Sequence, residues 1–164
     1  MPNTIVRLSD VQTKRCHTVN AWTLHKGKTL LVKHKKLGIW LAPGGHVEDN
    51  ELPHQAAQRE FFEETGVRVE VLSAQKNTFQ ATSSEYLPLP FYCNLHDVYK
   101  PRGNSFCEQH YSWGYYVKVV DESGFGKEDD GILGVRWFTL EELKTVETTE
   151  DIREEGIAVF TQFP

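Results

Sequence analysis

The chain is poor in cysteine, in basic residues and in long apolar runs, and each shortage excludes something. Its three cysteines, Cys16, Cys93 and Cys107, are an odd number and fall at no metal-ligand spacing. They read as core or free thiols of a protein kept in a reducing compartment. Acidic residues outnumber basic ones by 23 to 18, for a formal net charge of -5. General nucleic-acid binding needs a broad basic face and is not expected; a small phosphate-bearing ligand is compatible, because local charge decides that. No segment reaches the roughly 20 apolar residues of a membrane span. The first residues, MPNTIVRLSD, hold no apolar signal region. Repeats, low-complexity tracts and linkers are also missing, and 164 residues suit one domain spanning 1–164. The expectation is a cytoplasmic, soluble, single-domain protein, with a homodimer compatible.

What the chain does have is concentrated between Gly45 and Val67, GHVEDNELPHQAAQREFFEETGV. Pro53 is tolerated at the first position of a helix and Gly66 suits the position just past its end, so about three helical turns are expected between them. Leu52 then falls at the N-cap, where it has no side-chain oxygen to offer. On this helix Glu60, Glu63 and Glu64 stand at i, i+3 and i+4 and share one face. Three carboxylates side by side repel. Such a face is ordinarily just solvated, but a divalent cation between them would offset the repulsion, and hard oxygen ligands suit Mg²⁺ or Mn²⁺.

The spacing runs Gly45, five residues, Glu51, seven residues, Arg59-Glu60, Phe61, one residue, Glu63-Glu64, one residue, Gly66-Val67. This resembles the Nudix box at every defined position. A chance match in a chain of this length is on the order of one in a million at average residue frequencies. The resemblance extends from about His17 to Leu143 and implies an α/β fold, the Nudix α/β/α sandwich with a mixed sheet between helices. It implies metal-dependent hydrolysis of a phosphoanhydride in a nucleoside diphosphate linked to another group. By resemblance Glu60, Glu63 and Glu64 are metal ligands, joined by the backbone carbonyl of Gly44. Glu60 or Glu64 is the base. Arg59 orients a neighbouring glutamate and could pair with Glu63, and Glu51 steadies the loop and helix start. A further carboxylate is expected from the loop Gly126–Gly131, Glu128 first and Asp130 second. Gly44, Gly45, His110 and Lys33 are the candidate substrate contacts. Lys33, with His34, Lys35 and Lys36, forms the basic cluster near the box.

Around the box the pattern reads as strands and two more helices. His17–His25 and Thr29–His34 suit strands joined as a hairpin through Lys26-Gly27-Lys28. Ile39–Ala42 is a short strand leading to Pro43-Gly44-Gly45, where two glycines permit a sharp bend and close approach of a ligand. Val67, Val69 and Val71 alternate as a half-buried strand. Tyr92–Tyr99, Glu108–Val120 and Leu133–Phe138 follow as strands, and Val11–Lys14 as an edge strand or cap. Thr139 to Glu142 is a capping box. Thr148–Phe163 carries Ile152, Gly156, Val159, Phe160 and Phe163 on one helical face. Trp22, Trp40, Phe91, Tyr92 and Tyr115 suit either core packing or stacking on a base. His46 and His54 flank the box as expected surface residues.

Three functions compete. A pyrophosphohydrolase for a (d)NTP leads, with nucleotide sugars, dinucleoside polyphosphates, ADP-ribose and capped RNA as alternative substrates. Isopentenyl-diphosphate isomerases share the fold but place a cysteine beside the loop before the helix, where this chain reads LAPGGHVEDN. A non-catalytic nucleotide-sensing module is the third; such relatives usually lose box glutamates, and this chain keeps them.

Overall fold

The strand Gln109–Asp121, β7, is the longest among the described residues, and its length decides the topology. It is the rich aromatic and β-branched run that the sequence places at the centre of a sheet. The computed structural model describes residues 14–76, 82–98, 107–126 and 130–164. In chain order the remaining elements are β1 (Arg15–Trp22), β2 (Thr29–His34), β3 (Trp40–Leu41), β4 (Gly44–His46), α1 (Pro53–Thr65), β5 (Arg68–Leu72), β6 (Tyr92–Asp97), β8 (Ile132–Phe138), α2 (Leu140–Thr145) and α3 (Glu150–Gln162). The suggested edge strand at Val11–Lys14 lies, but for Lys14, outside the described residues, as does Glu128.

One edge of β7 pairs in parallel with β1, from Arg15 opposite Gln109 to Trp22 opposite Tyr116. Its other edge is long enough to take two antiparallel neighbours, β6 against Gln109–Gly114 and β5 against Tyr116–Asp121. With β4 antiparallel on β1, this makes a mixed five-stranded sheet. A second, antiparallel sheet has the order β3-β2-β8.

The expected hairpin of β1 and β2 does not form. Lys26 and Gly27 do turn the chain tightly, with φ of 50° and 74°. Only His25 and Lys28 bridge across that turn, however, after which the chain passes from the mixed sheet to the second one. Local turn chemistry fixed the reversal, while burial against different partners fixed which strands pair.

Helix α1 has the expected limits. Gly66 adopts the left-handed conformation at its end, φ 74°, and donates its N–H to the carbonyl of Phe62 at 2.8 Å. At the start Leu52 offers no side-chain cap, and the free backbone N–H of Leu52 is instead taken by Gln55 Oε1 at 3.0 Å. Ala56, Ala57 and Phe61 on α1 are buried against Val19, Ala21, Val69 and Val117 of the mixed sheet and Leu30 of β2. The opposite side holds a second core, in which Trp22, Tyr116 and Phe138 meet Leu143 of α2 and Ile152 and Val159 of α3. Helices therefore cover sheet on both sides. Thr139 and Thr149 cap α2 and α3 as Ser and Thr do, each accepting at 3.3 Å from an N–H three residues on. Among the described residues no helix is long and apolar enough to cross a membrane.

Candidate active site

Arg59 is the hub of the glutamate-rich stripe. Its guanidinium holds Glu51 through two parallel bonds, Nε to Oε1 and Nη2 to Oε2, both 2.9 Å. Nη1 donates to Glu60 Oε1 and to Glu63 Oε2, again at 2.9 Å. Nη2 also reaches the carbonyl of His46 at 3.0 Å, tying the helix to β4. The planar fork of an arginine is what allows one side chain to serve so many acceptors. The i, i+4 pair with Glu63 forms, and the same nitrogen binds the neighbouring Glu60. Glu51 also accepts from the N–H of Glu48 at 3.3 Å, which closes the turn before the helix.

Glu64 takes a different route. Its Oε2 accepts from the backbone N–H of Gly44 at 2.9 Å, so the third glutamate is fixed to β4 rather than to Arg59. The two glycines differ from their expected use. They do not bend the chain sharply; they form β4, with Gly44 opposite Asn20 and Gly45 opposite Val19. What they supply is closeness. A Cβ at Gly44 would run into the carbonyl of Val19, and one at Gly45 into the carboxylate of Glu60. The glycine backbone is what admits Glu60 to that place.

The charges in this cluster are unequal. Burial pushes the Glu60 carboxyl above its usual range; Arg59 pulls it down, and Glu63 and Glu51 add a further upward push. Glu51 is held below its usual range by the Arg59 hydrogen bonds. Arg59 itself is raised, chiefly by Glu51. One guanidinium therefore faces more carboxylate than it can neutralise, and Glu60 is the one burial penalises as an anion. The donor set suits a hard divalent cation in kind: the side chains of Glu60, Glu63 and Glu64 on α1 and the carbonyl of Gly44 on the facing β4 all offer oxygen.

The remaining candidates are scattered. His110 lies in β7, opposite Cys16 on β1 and His96 on β6. Its ring meets those of His46 and His96 edge-on at 5.1 and 5.3 Å. Burial first, then these two neighbours, lower its pKa to about 4. Lys33 sits in the second sheet, between Trp40 and Gly134, apart from the Arg59 network. Asp130 is exposed, and its backbone carbonyl accepts from Lys35 Nζ at 3.2 Å. Trp22 and Tyr115 are core residues, and Phe91 stacks on Tyr116 at 4.1 Å.

Two features were not foreseen. On the sheet face away from α1, Tyr92 Oη donates to Glu155 Oε2 at 2.6 Å and accepts from Asn20 Nδ2 at 2.8 Å, while Asn94 Nδ2 reaches Glu155 Oε1 at 3.4 Å. A cleft lined by Asn94, His96, Asp151 and Glu155 opens beside this group. Burial raises Glu155 to about 7. The helical spacing held the signal: Glu155 falls on the same inward stripe as Ile152, Gly156 and Val159. The second feature corrects the reading of the cysteines as thiols. Cys16 and Cys107 are joined in a disulfide with Cα atoms 5.7 Å apart, and Cys93 alone is free and exposed. Parallel pairing of β1 with β7 brings the two together across 91 residues of sequence, which no local spacing could reveal.

Among known protein families, the NUDIX domain matches residues 14–158. A hydrolase of the NUDIX family from Clostridium perfringens has a similar structure, with a TM-score of 0.74 at 26% identity over 92% of this chain and 99% of that one. A MutT-like protein of Streptomyces ambofaciens is 36% identical over 67 residues, 41% of this chain and 43% of that protein. A putative 8-oxo-dGTP diphosphatase of Bacillus subtilis is 45% identical over 51 residues, 31% of this chain and 34% of that protein. The matches to these two relatives thus span less than half of their length. With the box assembled around Arg59 and nearly the whole described chain matched, the protein belongs to the NUDIX family. Nudix hydrolases as a class generally use divalent metal ions and act on small nucleotide derivatives.

Proposed function

We propose that the chain is a single-domain pyrophosphohydrolase, dependent on Mg²⁺ or Mn²⁺, that cleaves a phosphoanhydride of a (d)NTP. The observation that carries the reading is the intact glutamate cluster: Arg59 gathers Glu51, Glu60 and Glu63 while Glu64 is anchored on Gly44. The choice of a (d)NTP is supported by the partial likeness to the Bacillus subtilis protein and by the cleft at Asn94, His96 and Glu155, whose apolar walls and few polar groups suit a base. Nucleotide sugars, ADP-ribose and dinucleoside polyphosphates are the alternatives within the same chemistry. A cytoplasmic location accords with substrates of this kind.

Glu60, Glu63, Glu64 and the Gly44 carbonyl would hold the cation. When bound, it neutralises phosphate oxygens and lowers the pKa of a water molecule. The chain's own groups do the rest. Arg59 keeps Glu60 and Glu63 in place and so presets the ligand geometry. Glu60 or Glu64 accepts the proton as water adds to phosphorus and the bridging oxygen leaves with its electron pair. Gly45 leaves room for the Glu60 carboxylate beside β4.

The test is a panel of nucleotides incubated with Mg²⁺ or Mn²⁺, with products identified by chromatography. Glu60→Gln and Glu64→Gln should each lower kcat by about 10²–10⁴-fold with the thermal transition retained. Near-normal turnover in both variants would refute the residue assignment. Tight nucleotide binding by calorimetry with no phosphate product would instead favour a sensing module.

A further inference from the structure

The structure assigns to Cys16, Cys107 and His46 a second metal site, one for a thiophilic divalent cation of the zinc class, formed when the Cys16–Cys107 disulfide is reduced. One ligand atom from each of the three lies within 4.8 Å of the others, and Cys107 Sγ is 3.4 Å from His46 Nε2. The convergence follows from the sheet. Side chains alternate along a strand, so Cys16 and Thr18 share a face of β1. Thr18 stands opposite His46 on β4, and Cys16 opposite His110 on β7. The hydroxyls of Thr18 and Ser112 meet at 2.6 Å on that same face, which fixes its orientation independently. Cys107 arrives just ahead of β7, where the N–H of Glu108 bonds to the carbonyl of Lys14 at 2.8 Å, and its thiol position is buried. His46 is exposed, leaving a way in from solvent.

Ligand chemistry separates this site from the glutamate cluster. Two sulfurs and an imidazole suit a soft or borderline cation, whereas the carboxylates of α1 suit Mg²⁺ or Mn²⁺. Two thiolates match a dication and leave no net charge at a half-buried place. Two sulfurs and one nitrogen make three protein ligands, as in open zinc sites that keep a fourth position for water; the ring of His110 is the neighbour on that side. The steps balance. Two molecules of a monothiol reduce the disulfide, giving two protein thiols and one external disulfide. The cation then binds as the two thiols release two protons, with His46 neutral. The site also abuts the catalytic cluster, since the His46 carbonyl accepts from Arg59.

The test uses the full chain, reduced with a monothiol, desalted without air, and titrated with Co²⁺ alone. A thiolate-to-cobalt charge-transfer band should appear at one equivalent and be bleached by equimolar Zn²⁺. The band should be absent from the disulfide form, which needs no substitution to prepare. It should vanish in Cys16→Ser and Cys107→Ser, checked for a retained thermal transition. Affinity should fall in His46→Ala by more than the roughly tenfold cost of losing an outer-shell partner. Cys93→Ser and Glu60→Gln should keep the band, the latter because the glutamate cluster is a separate site. No thiolate band in the reduced wild type, or a band that survives both Cys16→Ser and Cys107→Ser, overturns the assignment.

Discussion

At the scale of single residues, the site depends on what a guanidinium can do and an ammonium cannot. Arg59 makes a two-pronged pair with Glu51 while holding Glu60, Glu63 and the His46 carbonyl. A lysine is a point charge on a flexible stem and cannot span these acceptors. Arg59→Lys should therefore lower kcat by about 10–100-fold, the usual cost of losing an outer-shell partner, with KM moving less. Steady-state kinetics on the best nucleotide of the panel decides it, and wild-type kcat in the lysine variant would refute the positioning role. Glu155 gives a second prediction, on stability. Burial holds its carboxyl at about 7, against an ordinary value of 4.5. The folded chain thus keeps a proton that the unfolded chain releases. Stability falls as pH rises from about 4.5 to 7, and above that the penalty is complete. Glu155→Gln cannot ionise, yet its amide oxygen can still accept from Tyr92. Relative to wild type the variant should gain on the order of 2–3 kcal/mol between pH 5 and pH 8. Urea titrations of both proteins at the two pH values measure this, and an unchanged difference between them would count against it.

At the scale of elements, the approach of β4 to its neighbours separates folding from catalysis. A Cβ at Gly44 would meet backbone, the carbonyl of Val19, which cannot swing aside. A Cβ at Gly45 would meet the end of the Glu60 side chain, which can. Gly44→Ala should then cost about 1–3 kcal/mol of stability through overpacking. Gly45→Ala should leave the fold nearly intact but displace Glu60, lowering kcat about tenfold or more. Thermal melts beside kinetics test the contrast; equal loss of stability in both variants would remove it. The same elements show what a sequence can disclose. The limits of α1 were legible because Pro53 and Gly66 act through their own backbones, and the glutamate stripe because helical spacing is local. The β1–β2 pairing was misread because a true tight turn at Lys26-Gly27 says nothing about the partners chosen beyond His25 and Lys28. The hydrogen-bonded group at Glu155 was missed because its members come from β1, β6 and α3, and only folding brings Asn20, Tyr92 and Glu155 together.

At the scale of the whole molecule, the Cys16–Cys107 link is a covalent tie between distant parts of the chain, closing a separation of 91 residues. It joins β1 to the start of β7, the parallel pair on which the mixed sheet is built. Parallel pairing cannot be nucleated by a local hairpin, so its loop-closure entropy is large and the cross-link acts chiefly by restricting the unfolded chain. Disulfides of this kind contribute about 2–4 kcal/mol. For a chain of this size that corresponds to a Tm higher by about 5–15 °C in the oxidised form. Thiol titration should find one reactive cysteine, Cys93, before reduction and all three afterwards. The Cys16→Ser/Cys107→Ser double variant should melt with the reduced wild type rather than with the oxidised one. A reducing compartment would hold the link open, so the lower Tm would describe the working enzyme there, and Zn²⁺ added to the reduced chain should recover part of the difference by binding the folded state alone. Identical melting of oxidised and reduced protein would show that the strand pairing needs no tie, and the stabilising role given to this disulfide would fall.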